Sequence, residues 1–184
     1  AVDRLMQWAW SDKDKSHIAD DSIFLTAIAL SWFLTTPNRY VRDRATKGLV
    51  CLLRDRLHLI SNLLNEFWNI DDPYVVERLF AVAYGCVMQN QDDNKNLECL
   101  ALWIYKNIFE GGKPPVHILL RDYARGVIEI ALNRGLNLAI DKKSIEPPYK
   151  SEWPRTVPSE DELKAKYYPE DFFQNKSKER GYLD

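Results

Sequence analysis

A charged six-residue cassette, Tyr40-Val41-Arg42-Asp43-Arg44-Ala45, returns twice in altered form along the chain. It recurs as Tyr74-Val75-Val76-Glu77-Arg78-Leu79 and as Leu119-Leu120-Arg121-Asp122-Tyr123-Ala124. Aligned on Asp43, Glu77 and Asp122, the copies stand 34 and 45 residues apart. Each opens a stretch whose apolar residues recur at helical spacing. A repeating helical unit cannot bury its apolar face alone and must lean on the next one, so the cassettes predict an all-α stack.

The rest of the chain fits that frame. The chain opens with a short helical pattern over residues 3–10, and Leu5, Trp8 and Ala9 on one side of it look for an absent partner. A charged loop over 11–17 precedes a helix at 22–36, which Pro37 ends because its ring disfavours helix in the residue before it. Asn38 then caps a helix at 38–56, and a second follows at 57–69. Asp71-Asp72-Pro73 is a strong start for a helix at 73–89 that is apolar on most sides, which predicts a central, doubly covered position. Helices at 95–110 and 116–134 are divided by Gly111-Gly112-Lys113-Pro114-Pro115, and Gly135 closes the last. The expected pairing sets 38–56 against 57–69 and 73–89 against 95–110, leaving 22–36 alone and 116–134 without a partner.

The predicted organisation is a helical-repeat domain over 1–135, then an extended Pro-rich tail over 136–184. In the tail, Pro147, Pro148, Pro154 and Pro158 forbid a long helix. Ser159-Glu160-Asp161-Glu162 matches a capping box for a short helix near 160–168. A spacing of 34 is that of the tetratricopeptide repeat, whose Trp, Leu-Gly and Tyr signature is absent. Aspartate and proline ahead of a helix, with Val-Arg near its start, resemble the HEAT pattern instead. The predicted fold class is thus a HEAT/armadillo-like α-solenoid of antiparallel helix pairs with a Pro-rich C-terminal tail.

In such a stack equivalent helices lie about 8–10 Å apart. Asp43, Glu77 and Asp122 would then line one rail, answered by Arg44, Arg78 and Arg121, as a structural ladder between repeats. A well-buried rung is worth about 1–3 kcal/mol. The competing use of these charges is a basic face around Arg39, Arg42, Arg44 and Arg54 that binds nucleic acid. A formal net charge of −2 over 184 residues, with Lys and Arg spread along the chain, weighs against it.

Residue patterns that carry chemistry are sparse. Gly111-Gly112-Lys113 resembles the end of a phosphate loop, but two prolines follow where backbone N–H groups are needed, so it is a helix stop. His17, Asp20 and Asp21 have a spacing a metal could use, yet a charged helix start is the commoner meaning. His58 and His117 stand alone in sequence and are expected to cap or pack. Cys51, Cys86 and Cys99 lack CxxC spacing and fall in apolar helical stretches, as small core residues of a reducing compartment do. No catalytic, cofactor-binding or metal-binding residue is assigned, and no small-molecule substrate is predicted. No apolar run approaches the roughly 20 residues of a membrane span, which makes the cytoplasm the expected location. Tyr149 and Trp153 stand out in the tail as anchors, either across the chain's own surface or on a partner.

Four phrases, NRYVRDRATKGLV, DDPYVVERLFAVAYGCVM, HILLRDYARGVIEIAL and PPYKSEWPRTVPSEDEL, together resemble the helical-repeat region of bacterial STAND-type, NACHT-like NTPases associated with defence against phage. The similarity spans about residues 22–165. It implies that the nucleotide-binding motor and the effector lie outside this chain, and that the repeats sense a foreign protein or couple sensing to assembly. The expected partner is a protein, either a phage protein or another segment of the same parent chain. A start at Ala1 directly in helical pattern fits a piece of a longer protein, with a processed terminus as the competing reading.

Overall fold

The structure, a computed structural model, describes residues 2–153 and 156–167. Among them every regular element is helical: α1 (Val2–Trp10), α2 (Asp20–Trp32), α3 (Arg39–Leu53), α4 (Ile60–Phe67), α5 (Pro73–Gln89), α6 (Asn94–Ile104), α7 (Ile118–Asn133) and α8 (Glu160–Tyr167). Short 3-10 turns at Phe33–Thr35, Leu57–Leu59 and Lys142–Ser144, and a π-helical turn at Tyr105–Phe109, join or extend them. No described helix is long and apolar enough to cross a membrane.

The helix starts follow from capping chemistry. The Asn38 side chain accepts from Tyr40 N, and Asp72 accepts from Tyr74 N and Val75 N with Pro73 in the first turn. Asp93 and His117 do the same for α6 and α7. The ends follow from glycine. Gly111 and Gly112 have φ of 91° and 73°, and Gly135 has φ of 79°, a left-handed backbone that side chains disfavour.

Helices α3, α5 and α7 lie side by side and run in the same direction. Near their N-termini, Arg42 and Asp43 meet Tyr74 and Arg78, while Glu77 faces His117. Near their C-termini, Cys86 reaches the Val50 carbonyl, Asn90 the Arg54 carbonyl and Arg134 the Val87 carbonyl. Helix α1 packs on the outer side of α3, so its apolar side has the partner that the sequence pattern left open. Met6 and Ala9 are fully buried there. Helix α5 is covered by α3 on one side and α7 on the other, with α4 across it, and nine of its seventeen residues are buried. This is the central place its composition predicts.

The pairing differs from expectation by one helix. Helix α2 packs on α3, α4 on α5, and α6 on α7, so neither 22–36 nor 116–134 stands alone. The cause is aromatic. Phe67 at the end of α4 meets Trp32 of α2 at a tilt of 57° with centroids 5.2 Å apart, and the adjacent Trp68 meets Phe80 of α5 and Trp103 of α6 edge-on at 6.2 Å each. These rings carry α4 away from α3, despite the short link between them, and join α2, α4, α5 and α6.

The expected boundary at 135/136 is also displaced. The first compact unit runs to Glu152, and residues 136–152 belong with the helices: Leu138 and Ile145 are buried, and Tyr149 packs on Phe109. The second unit starts at Trp153 and contains α8, whose capping box forms as read, with Ser159 N donating to Glu162 Oε2 at 2.7 Å and Glu162 N to Ser159 Oγ at 3.3 Å. Residue 168 of the expected 160–168 helix, and the tail after it, lie outside the described residues. Of the three cysteines only Cys86 is a core residue; Cys51 is half-buried and Cys99 is exposed, because it lies on the outward side of α6.

Close approach of α1 to α3 depends on Gly48, where a Cβ would stand 3.2 Å from Ala9 Cβ. Gly48→Leu drives a side chain between the two helices. Overpacking costs about 1–3 kcal/mol, offset by about 1 kcal/mol of helix propensity. The variant is expected to lower the urea midpoint; an unchanged or higher midpoint would show that α1 is not held at this contact.

Candidate functional site

The N-terminal ends of α3, α5 and α7 form one polar rim, and their caps place the cassettes one turn in. Tyr74 is its centre. Its hydroxyl accepts from Arg42 Nε at 3.1 Å and Arg78 Nε at 2.7 Å, and both guanidinium groups stack on its ring at 5.3 and 5.2 Å. Arg78 reaches Asp43 across the helix gap at 3.3 Å, and Arg39 flanks the same carboxylate at 3.5 Å. Burial works against the Arg78 charge, but the Tyr74 hydroxyl, with Asp43 and Glu77, outweighs it and raises its pKa. The side chains of Arg78 and Asp43 are 27% and 39% exposed. That exposure reduces the pair to about 1 kcal/mol or less, below the value expected of a buried rung.

Glu77 is buried, and its Oε2 lies 3.8 Å from His117 Nε2. His117 Nδ1 accepts from Leu120 N, so the ring's remaining proton sits on Nε2, toward Glu77. His117 thus caps α7 and contacts α5 at once. His58, read as isolated, contacts Asp20 at 2.7 Å.

The third cassette leaves the rail. Asp122 pairs with Arg125 of its own helix. Arg121 donates to the Pro115 carbonyl at 3.1 Å and Ser151 Oγ at 3.4 Å, and stacks on Tyr149 at 4.9 Å. The reason is local: the segment 136–152 lies beside α7 and brings Tyr149 and Ser151 to Arg121. Arg44 departs as well. It faces α1 and lies over the rings of Trp10 and Tyr40 at 5.5 and 5.1 Å instead of answering a carboxylate.

The four arginines of the nucleic-acid reading do not share a face. Arg39 and Arg42 are held on the N-terminal rim, where Arg42 also donates to the Thr36 carbonyl at 2.8 Å. Arg54 stands at the opposite end of α3 beside Asp55 and Gln89. Tyr149 is held within its own unit, donating to the Ile145 carbonyl at 2.8 Å, whereas Trp153 is 65% exposed.

The opposite, C-terminal rim escaped the sequence reading. The last carbonyls of a helix have no partner within it and carry its negative end. Here a side chain that follows one helix serves carbonyls at the end of its neighbour or in the loop after it. Arg56 donates to Lys15 O and Ile18 O at 2.8 and 3.3 Å, Asn90 to Arg54 O at 2.9 Å, and Arg134 to Val87 O at 3.0 Å and to Asn90 O. Lys15, itself buried, serves Ser11 O at 2.6 Å, and burial lowers its pKa. The available signal was a basic residue or Asn just past each apolar run.

A polar cleft of about 410 Å³ opens on this rim, lined by Asp14, Lys15, Asp20, Cys51, Arg56 and His58 among others. Its charged groups face one another. Asp20 accepts from Arg56 Nε at 2.9 Å and contacts His58, and those hydrogen bonds, His58 first, lower its pKa from 3.8. His17 and Asp21 form no metal cluster with it, and no such cluster exists among the described residues. The Cys86 thiol, fully buried, has its pKa pushed far up by desolvation.

Arg134→Met strips the Val87 and Asn90 carbonyls of their donor at the junction of α5 and α7. A loss of about 1–3 kcal/mol by urea denaturation is expected; a change within surface scatter would remove the rim from the account. Because the folded-state pKa of Asp20 is depressed, its contribution is present above pH 3.8 and is lost as pH falls through the lower folded value. Asp20→Asn should therefore be less stable than the parent at neutral pH. The gap should close as pH falls through that depressed folded value, as followed by thermal melts across pH.

Comparison with protein-family models, curated proteins and solved structures finds no match to this chain.

Proposed function

We propose that the chain is a segment of a HEAT-like α-solenoid that recognises a protein and couples that event to a larger cytoplasmic machine, in the manner the resemblance to bacterial STAND-type NTPases of phage defence implies. The observation that carries this reading is the parallel alignment of α3, α5 and α7, tied at both rims by side chains handed from one helix to the next. Returning helices α4 and α6 lie between them in sequence and on the other side in space, as repeat units require. An array tied at both ends resists bending, so a partner bound along it biases the whole body. Its contact residues include large exposed side chains of the kinds that dominate protein interfaces, such as Trp10, Trp32 and Tyr40. On this reading the module is non-catalytic, needs no cofactor, and leaves nucleotide hydrolysis to the parent protein.

The nucleic-acid alternative is favoured by one observation, the crowding of Arg39, Arg42 and Arg44 at one end of α3. It is weakened by the prior engagement of the first two.

Titration calorimetry of the chain against individually purified phage proteins separates the two. A defined complex with one such protein is expected, together with indifference to DNA and RNA at about 50 mM salt. Absence of any protein complex, with tight nucleic-acid binding that collapses as salt rises, would replace the proposal by the alternative.

A further inference from the structure

We propose that the surface shared by α1 and the N-terminal half of α3 binds an acidic segment of a protein partner, whose Asp or Glu carboxylate is received by Arg44 and Lys47 beside the ring of Trp10. The inference rests on the protein-recognition reading above and names the chemistry of the partner at one place.

The argument begins with charges that the fold leaves unanswered. Most arginines on the stacked helices meet a carboxylate, as Arg39, Arg78 and Arg125 do, or a backbone carbonyl, as Arg42, Arg121 and Arg134 do. Arg44 meets neither among the described residues. Its Nη1 donates to the Tyr40 hydroxyl, its Nε is buried without a hydrogen-bond partner, and its remaining contacts are the faces of Trp10 and Tyr40. Lys47, one turn further along α3, also meets no carboxylate among the described residues; its ammonium lies 4.8 Å from the centre of the Trp10 ring. Two positive charges thus stand beside the same indole with no anion between them.

The rings make this arrangement more than loose surface charge. Stacking on Trp10 and Tyr40 fixes the guanidinium before a partner arrives, which removes much of the ordering cost of binding. Trp10 and Tyr40 remain 40% and 58% exposed, so each offers apolar area beside the cations. Trp, Tyr and Arg together form the usual composition of an energetic centre in a protein interface.

Charge complementarity selects the occupant. Asp43, the residue before Arg44 on α3, is already held by Arg39 and Arg78 and forms no ion pair with Arg44. A nucleic-acid strand asks for a stripe of cations that follows its backbone. Here two cations flank one indole within a chain of net charge −2. One carboxylate with an apolar neighbour matches that scale, so an acidic peptide is the fitting ligand.

The test uses fluorescence anisotropy at low salt with three labelled probes: a short peptide alternating Glu with Ala, its Lys-Ala counterpart, and a dT oligonucleotide of matching charge. The Glu-Ala peptide should bind the whole chain and the Lys-Ala peptide should not. Lys47→Glu, at an exposed position that rests on the Trp10 ring, should weaken binding about tenfold or more with an unchanged melting temperature. Arg44→Gln should do the same, and its melting curve reports any loss of folding separately. No binding of the Glu-Ala peptide, equal binding by Lys47→Glu, or tighter binding of the oligonucleotide would each overturn the proposal. A protein complex that forms equally well with Lys47→Glu would overturn this site while leaving the recognition reading intact.

Discussion

The carbonyl groups at the helix ends decide how this chain stacks. Three helices of similar length lying parallel bring their negative ends together, which is unfavourable unless something positive or proton-donating intervenes. Arg56, Asn90 and Arg134 intervene, each from just beyond its own helix, and each reaches the carbonyls that end the preceding helix or the loop after it. The same bonds satisfy orphan acceptors and fix the lateral offset of neighbours. Cys86 adds a weaker contact to Val50 in the same register. Parallel order without this rim would leave unpaired carbonyls at every junction.

The opposite rim works with different chemistry. Helix N-termini favour acceptors, and Asn38, Asp72 and His117 provide them. The arginines found there do not cap these helix starts; Arg42 and Arg121 each reach a loop carbonyl ahead of their helix, and Arg42, Arg44, Arg78 and Arg121 lie over phenol or indole rings. Tyr74 holds Arg42 and Arg78 together across the gap between α3 and α5, while Trp10 and Tyr40 hold Arg44. Between α5 and α7 the link changes to Glu77 and His117, and beyond α7 the cassette faces the segment 136–152. Each junction along the rim is therefore chemically distinct, although the helices that carry it are alike.

Helix positions were legible because their signals are local. Pro73 after Asp72, Asn38 after Pro37 and the Gly111-Gly112 stop act within a turn of themselves, and the structure places helix ends close to each. Contacts across the stack were legible only in part. Asp43 and Arg78 lie in matching cassettes and do meet, since their helices are aligned along their whole length. Arg121 and Asp122 lie in a matching cassette and do not, because a segment distant in sequence supplies their surroundings. The helix pairing was misread for the same reason: the short link after α3 suggested an antiparallel neighbour, while Phe67 and Trp68 prefer the aromatic surface built by Trp32, Phe80 and Trp103. Ring-on-ring preference has no period that a sequence pattern can display.

These differences bear on where recognition can reside. A side chain that fastens one helix to the next is committed before any partner arrives, and Arg78, Arg134 and Arg56 are of that kind. Removing one weakens the stack itself, so it cannot vary to suit a ligand. Arg44 and Lys47 make no hydrogen bond or ion pair from one helix to another among the described residues; they rest on an indole of α1 that is open to solvent. Interior rims that bind helix to helix and an open aromatic surface that binds outward can therefore change independently. A repeat array that keeps its stacking while altering its partner requires that division of labour.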